Sequence, residues 1–305
     1  MSVSRGMAVA IALLLAAFAV AGCGLGAGRQ LGEASLTVTR DYGAERLLGP
    51  TAEGITESDT VMRVLERNAD VSTRYGGDYV HSIEGVSEAV HDGHPLDWFF
   101  YVNGVESPVG AADYSLHGGE AIWWDYRDWS AAISVPAVVG SWPQPFVGGY
   151  EGRDHPVRVE CLGGGAACAE VQRRLRQAGA LLGGGVAGEP IRILVGPWGR
   201  VRADPAAAQI EDGPRQSGVF AVIMRESGDF ALRGLDETGA EARAFGPGAG
   251  LVAATRRHEA PPVWVVSGAT ERGVAAAAAL LDRADLRDHY AVAVEDGQES
   301  PLPIR

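Results

Sequence analysis

The chain has no lysine, and all 26 of its basic residues are arginine. Against 39 acidic residues they leave a formal net charge of −13, which argues against nucleic acid or an anionic membrane surface as a direct partner. With so many alanines and glycines beside them, the arginines read as the mark of a GC-rich genome and not as a binding design. Catalytic signatures are missing too. There is no Gly-x-Ser-x-Gly elbow, no phosphate loop and no His-Glu-x-x-His, so no enzyme activity, catalytic residue or cofactor is expected. Cysteine is scarce, at three. The run His91-Asp92-Gly93-His94 has the flavour of metal ligands, but it lies in loop sequence between strands. Solvated histidines are the plainer reading there, and no metal is expected.

What is present begins at the N-terminus. Arg5 supplies a positive start, Met7 to Val20 is a continuous apolar run, and Val20-Ala21-Gly22 puts small residues directly before Cys23. A run of this length with small residues at its end reads as a signal peptide, not a spanning helix. The pattern resembles the lipobox of bacterial lipoproteins. That resemblance implies cleavage before Cys23, diacylglyceryl attachment to its sulfur, and a chain anchored by lipid to the outer face of the cytoplasmic membrane. Residues 1–22 are then the signal peptide and 23–32 a flexible, glycine-rich tether. In an oxidising compartment the two remaining cysteines, Cys161 and Cys168, are expected to form a disulfide closing the Leu162–Ala167 loop.

Aromatics make up only 7% of the chain, yet Leu96–Trp129 holds four of the seven tryptophans, Trp98, Trp123, Trp124 and Trp129. Two runs, Trp98–Val102 and Ile122–Tyr126, have strand composition and are bounded by turn chemistry. Their aromatics fall on both parities, whereas a one-sided strand alternates apolar with polar. Something must cover the second face. Ile122, Trp124 and Tyr126 share the parity facing a helix, and Trp123 falls opposite. That opposite face either packs on the linker or the second domain, or forms an aromatic binding surface.

Upstream, Ala34–Arg40 alternates as a strand, and Gly43–Gly54 reads as a loop. Ser58 or Asp59 caps an amphipathic helix to about Asn68. Val71–Arg74 and Tyr79–Ile83 are strands around a turn. One helix on a mixed sheet follows from this order, an α+β arrangement. Three pairings carry a resemblance: Tyr79-Val80 before Ser82-Ile83-Glu84-Gly85, Trp98 before Tyr101-Val102-Asn103-Gly104, and Asp113-Tyr114 before Gly119-Glu120-x-Ile122. Residues 33–128 are similar to the transcobalamin-like C-terminal domain, which closes the cobalamin carriers of animals and recurs in bacterial surface lipoproteins. The resemblance implies a β-grasp-like fold and half of a corrinoid site. The helical barrel that supplies the other half in those carriers is absent from this sequence. A cobalamin-like or other planar ligand would rest on Trp98, Tyr101, Trp123 and Tyr79.

Residues 129–154, rich in Pro and Gly, read as an extended linker with packing aromatics Trp142, Phe146 and Tyr150. Residues 155–305 read as an α/β domain with strands at Pro156–Glu160, Ile191–Val195, Val263–Val266 and Tyr290–Val294. It has helices at Ala169–Gly179 and Glu271–Arg283 and a three-strand meander from Ser217 to Phe245. The stretches 193–210 and 264–281 each run strand, glycine turn, arginine and alanine-rich helix. They suggest a strand–helix–strand pseudo-repeat, with duplication and chance resemblance both open. Arg200 and Arg272 would then sit at strand ends beside helix starts, where an anion is held. Surface arginines beside ordinary turns are the alternative. Two functions follow as expectations. One is a lipid-anchored, non-catalytic binding protein for a cobalamin-like molecule. The other is a structural or interaction module that meets other envelope proteins with its aromatic face packed internally.

Overall fold

The structure, a computed structural model, describes residues 28–87, 90–91, 93–183 and 187–305. The signal segment and Cys23 lie outside them. Among the described residues no helix is long and apolar enough to cross a membrane.

The first half is a mixed sheet. Strands β1 (Gln30–Arg40) and β2 (Glu45–Thr56) form an antiparallel hairpin. A helix, α1 (Val61–Asn68), and a small β3–β4 hairpin (Val71–Arg74 and Tyr79–Ile83) follow. Then come β5 (Val90–His91), β6 (His94–Val102), β7 (Val105–Glu106) and β8 (Ala121–Asp128). The sheet order is β2-β1-β8-β6-β5, with β7 paired to β6. β1 runs parallel to β8, with Ser35 opposite Ala121 and Thr39 opposite Asp125.

Most of the stretch expected as loop, Gly43–Gly54, is strand β2. Gly49-Pro50 and three register shifts against β1 break the alternation that would have marked it. The α1 cap is Thr60, whose side chain accepts from the Arg63 amide. Asp59 instead accepts from the Thr56 amide and pairs with Arg67. Val61, Val64 and Leu65 of α1 are buried against Leu36, Val38, Trp98, Ile122, Trp124 and Tyr126. Strand parity therefore puts Thr39, Tyr101, Trp123, Asp125 and Arg127 on the other face.

The second half centres on a six-stranded sheet of order β17-β16-β14-β15-β10-β9. Its strands are β9 (Val157–Cys161), β10 (Ile191–Pro197), β14 (Gly250–Thr255), β15 (Val263–Gly268), β16 (Ala291–Glu295) and β17 (Gln298–Leu302). β9, β10 and β15 are parallel, and the other three antiparallel. Helices α2 (Gly165–Gln177) and α3 (Glu271–Ala279) cover one face through Val171, Leu175, Val274 and Ala277. Trp198, Val201, Ile210 and Phe220 cover the other. The meander of β11 (Ala221–Glu226), β12 (Asp229–Leu235) and β13 (Glu241–Ala244) is a sheet of its own.

The pseudo-repeat is confined to a strand and a turn. β10 and β15 pair in step from Ile193–Trp264 to Pro197–Gly268. Beyond that, Asp204-Pro205 starts a new turn and splits the first unit into single-turn helices at Trp198–Val201 and Pro205–Ala208, where the second unit has α3. The next strand of the first unit, β11, leaves the main sheet, while that of the second, β16, stays in it.

Residues 129–154 do more than span a gap. Ala132, Val135 and Val138 are buried between the two halves, and Val139, Trp142, Phe146 and Tyr150 under the helical layer. The Val138 amide donates to Gly104 O of the first half, and the next amide, Val139, to Tyr290 O of the second.

Candidate functional site

The second face of the aromatic strands closes onto the other half of the molecule. Tyr42, Tyr101 and Trp123 belong to the same core as Phe220, Leu251 and Tyr290. Trp123 and Tyr290 meet edge to face at 5.4 Å, as do Tyr42 and Phe220 at 4.9 Å. Two glycines let the backbones approach. A Cβ on Gly43, whose φ is +82°, would sit 1.7 Å from Asp288 O, and one on Gly140 would sit 2.8 Å from the Trp123 ring.

Within this apolar contact lies a polar network. The Asp125 carboxylate is fully buried and accepts four hydrogen bonds. They come from the Thr39 hydroxyl (2.5 Å), the Gly43 and Tyr42 amides (both 3.0 Å) and the Tyr290 hydroxyl (3.0 Å). Burial pushes its pKa up to about 6, against those donors, which favour the charged form. The Tyr101 hydroxyl donates to Tyr290 at 3.2 Å, and the Trp123 indole donates to Thr39 at 2.7 Å. Burial raises Tyr42, Tyr101 and Tyr290, so all three stay protonated donors.

Arg127, also fully buried, donates to the carbonyls of Asp128, Ala132 and Ile133 and lies 3.7 Å over the Phe99 ring. Its fork pins the start of the crossing segment to β8. With every member buried, the network fixes one half on the other and presents no open surface to a substrate.

Beside it a cleft remains open. Ser35, Thr37, Ser141, Trp123, Trp142, Arg283, Arg287 and Asp288 line about 110 Å³ between the halves. Asp288 is bonded by Arg46 at 3.0 Å from the opposite half.

The residues singled out in the sequence separate into several places. Tyr101 and Trp123 come together, 5.7 Å apart, inside the junction. Trp98 points the other way, into the α1 core beside Tyr126. Tyr79 is partly exposed on the β3–β4 hairpin and donates to Asp97. The four share no common surface. Arg200 donates to Leu162 O at 3.1 Å, while Arg272 pairs with Asp296 on an exposed edge. The two arginines do not converge. Glu271 accepts from the Gly164 amide with both oxygens at 3.0 Å and so occupies the start of α2 itself. Cys161 and Cys168 form a disulfide from the end of β9 to the first turn of α2. His94 lies 3.0 Å from Asp128, and no group of three metal-ligating side chains occurs among the described residues.

Thr39, Tyr42, Asp125, Arg127 and Tyr290 went unmarked in the sequence. A signal existed for two of them: Asp125 and Arg127 stand on the parity of Trp123, polar residues on a face otherwise needing cover.

Asn103 and Glu120, from the Tyr101–Gly104 and Gly119–Ile122 motifs, hold this geometry. Asn103, at φ +53°, accepts from the Ala121 amide and donates to Gly149 O. Glu120 accepts from the Tyr114 hydroxyl and the His117 amide, and burial raises its pKa. Residues 58–128 match a domain of unknown function, DUF4430. The DUF4430 stretch takes in α1 and β3 through β8 but neither the β1–β2 hairpin nor the second half. It spans less than half of the chain. A crystal structure of a Ruminococcus gnavus protein to which metal binding is ascribed is also similar, with 16% identity and a TM-score of 0.23. That match covers 32% of this chain and 97% of the other. No curated protein matches.

Proposed function

We propose that the protein is a lipid-anchored, extracytoplasmic and non-catalytic module of the cell envelope, in which the aromatic face is an internal lock between two halves. The anionic exterior meets other envelope components. One observation carries this reading: Tyr101 and Trp123 are buried under Tyr42 and Tyr290 of the junction. A cobalamin-like planar ligand needs Trp98, Tyr101, Trp123 and Tyr79 on one accessible surface, whereas Tyr101 and Trp123 share the buried junction, Trp98 lies in the α1 core and Tyr79 on the β3–β4 hairpin. The lipid anchor on Cys23 rests on the sequence around it.

Tryptophan fluorescence of the full chain with a soluble quencher, followed by an absorbance titration with cobalamin, tests the reading. The expected result is a blue, quencher-resistant emission that cobalamin leaves unchanged. Saturable corrinoid binding that quenches this emission would overturn it.

A further inference from the structure

The open cleft beside the lock has a composition at odds with the rest of the molecule. In a chain of net charge −13, Arg283 and Arg287 both line it. Neither makes an ion pair or a hydrogen bond through its guanidinium with any described residue. Arg283 opens the single helical turn Arg283–Leu286 and Arg287 follows it, so the two are four apart and neighbours on one side of the turn. Like charges so placed repel each other. The acidic group in the lining, Asp288, is already neutralised by Arg46.

The opposite wall is β1. Parity places Ser35 and Thr37 on the same face as Thr39; Thr39 is spent on Asp125 and Trp123, whereas the Ser35 and Thr37 hydroxyls have no partner among the described residues. The Ser141 hydroxyl completes the set, also without a partner there. Trp123 and Trp142 add apolar surface. About 110 Å³ is more than one bound water requires.

We propose that this cleft binds a small phosphorylated molecule, its phosphoryl group held by Arg283, Arg287 and the hydroxyls of Ser35, Thr37 and Ser141. A phosphomonoester carries nearly two negative charges and three acceptor oxygens. Two guanidinium forks and three hydroxyl donors match both numbers. A carboxylate supplies one charge and two oxygens and leaves part of the set unused. The tryptophan surface takes a compact carbon body. The inference stands apart from the envelope reading above, since it uses none of the locked residues as a ligand contact except the edge of Trp123.

Calorimetric titration of the full chain with inorganic phosphate, glycerol phosphate and acetate tests it. Glycerol phosphate is expected to bind saturably at one site with a submillimolar Kd, inorganic phosphate more weakly, and acetate at least tenfold more weakly than either. Arg283→Ala combined with Arg287→Ala is expected to weaken glycerol phosphate at least tenfold, and Ser141→Ala severalfold, with unchanged circular dichroism. Three results would overturn the proposal: no saturation by about 10 mM phosphate ester, acetate as tight as phosphate, or a double-arginine variant that binds like the parent.

Discussion

A carboxylate removed from water is costly unless neighbours donate to it, and Asp125 has four such neighbours drawn from both halves of the chain. Burial nonetheless holds its pKa at about 6, above the unfolded value of roughly 3.9. The sign of the linkage follows. The native state binds this proton more tightly, so the residue's contribution to stability is largest below about pH 4 and falls as pH rises through 6. Compared with Asp125→Asn, the wild type is expected to lose about 3 kcal/mol of relative stability between those limits. Denaturation of both proteins from pH 4 to 8 reads this directly, and a difference that stays flat or grows would refute it. At this scale legibility was uneven. Asn103 and Glu120 stand in sequence motifs, but their work is to fasten a turn and a strand end. Asp125 took its meaning from Tyr290, 165 positions away, and no local pattern carries such a partner.

Among the elements, those with one face buried and one wet were legible: β1, α1, β4 and the β11–β12 hairpin. Buried strands rich in Ile and Val, β10, β15 and β16, were legible as well, whereas β14 and β17 were not. β14 is buried at all six positions, and its run Gly-Leu-Val-Ala-Ala-Thr has neither alternation nor β-branched weight. β17 carries Pro301 within a polar sequence at the sheet edge, where proline is tolerated because one side of the ladder is open. Helix α2 starts at Gly165, four residues ahead of the Ala169 that the sequence suggests, because Gly165-Ala166-Ala167-Cys168 has the composition of a loop within the disulfide. There the Cys161–Cys168 bond and the Glu271 carboxylate converge on one helix end. Replacing both cysteines by alanine is expected to cost about 2–3 kcal/mol, the scale for so short a closed loop. Hydrogen exchange should quicken in the first turn of α2 and leave β8 unchanged. Equal quickening in β8 would mean that the bond supports the junction as well.

For the molecule as a whole, two separate domains joined by a linker describe the sequence better than the structure. The residues read as linker are buried in two cores at once, and both cores draw from both halves, the second through Val105. Domains that share apolar contact and a buried polar network unfold together. Thermal unfolding followed by far-ultraviolet circular dichroism and by tryptophan emission is therefore expected to give coincident transitions. A chain ending at residue 130 should show red-shifted emission and associate, because Tyr101 and Trp123 lose their cover. Two resolved transitions, or a well-behaved truncated monomer, would contradict a shared core.

The backbone crossing at Val138 and Val139 has a further consequence, one of descent. Consecutive amides there bond to Gly104 on one side and Tyr290 on the other. A recombination break anywhere between Ser130 and Gly152 strips cover from both sides together. Exchange of either half alone is therefore expected to leave Tyr101 and Trp123 without the cover that Tyr290 supplies.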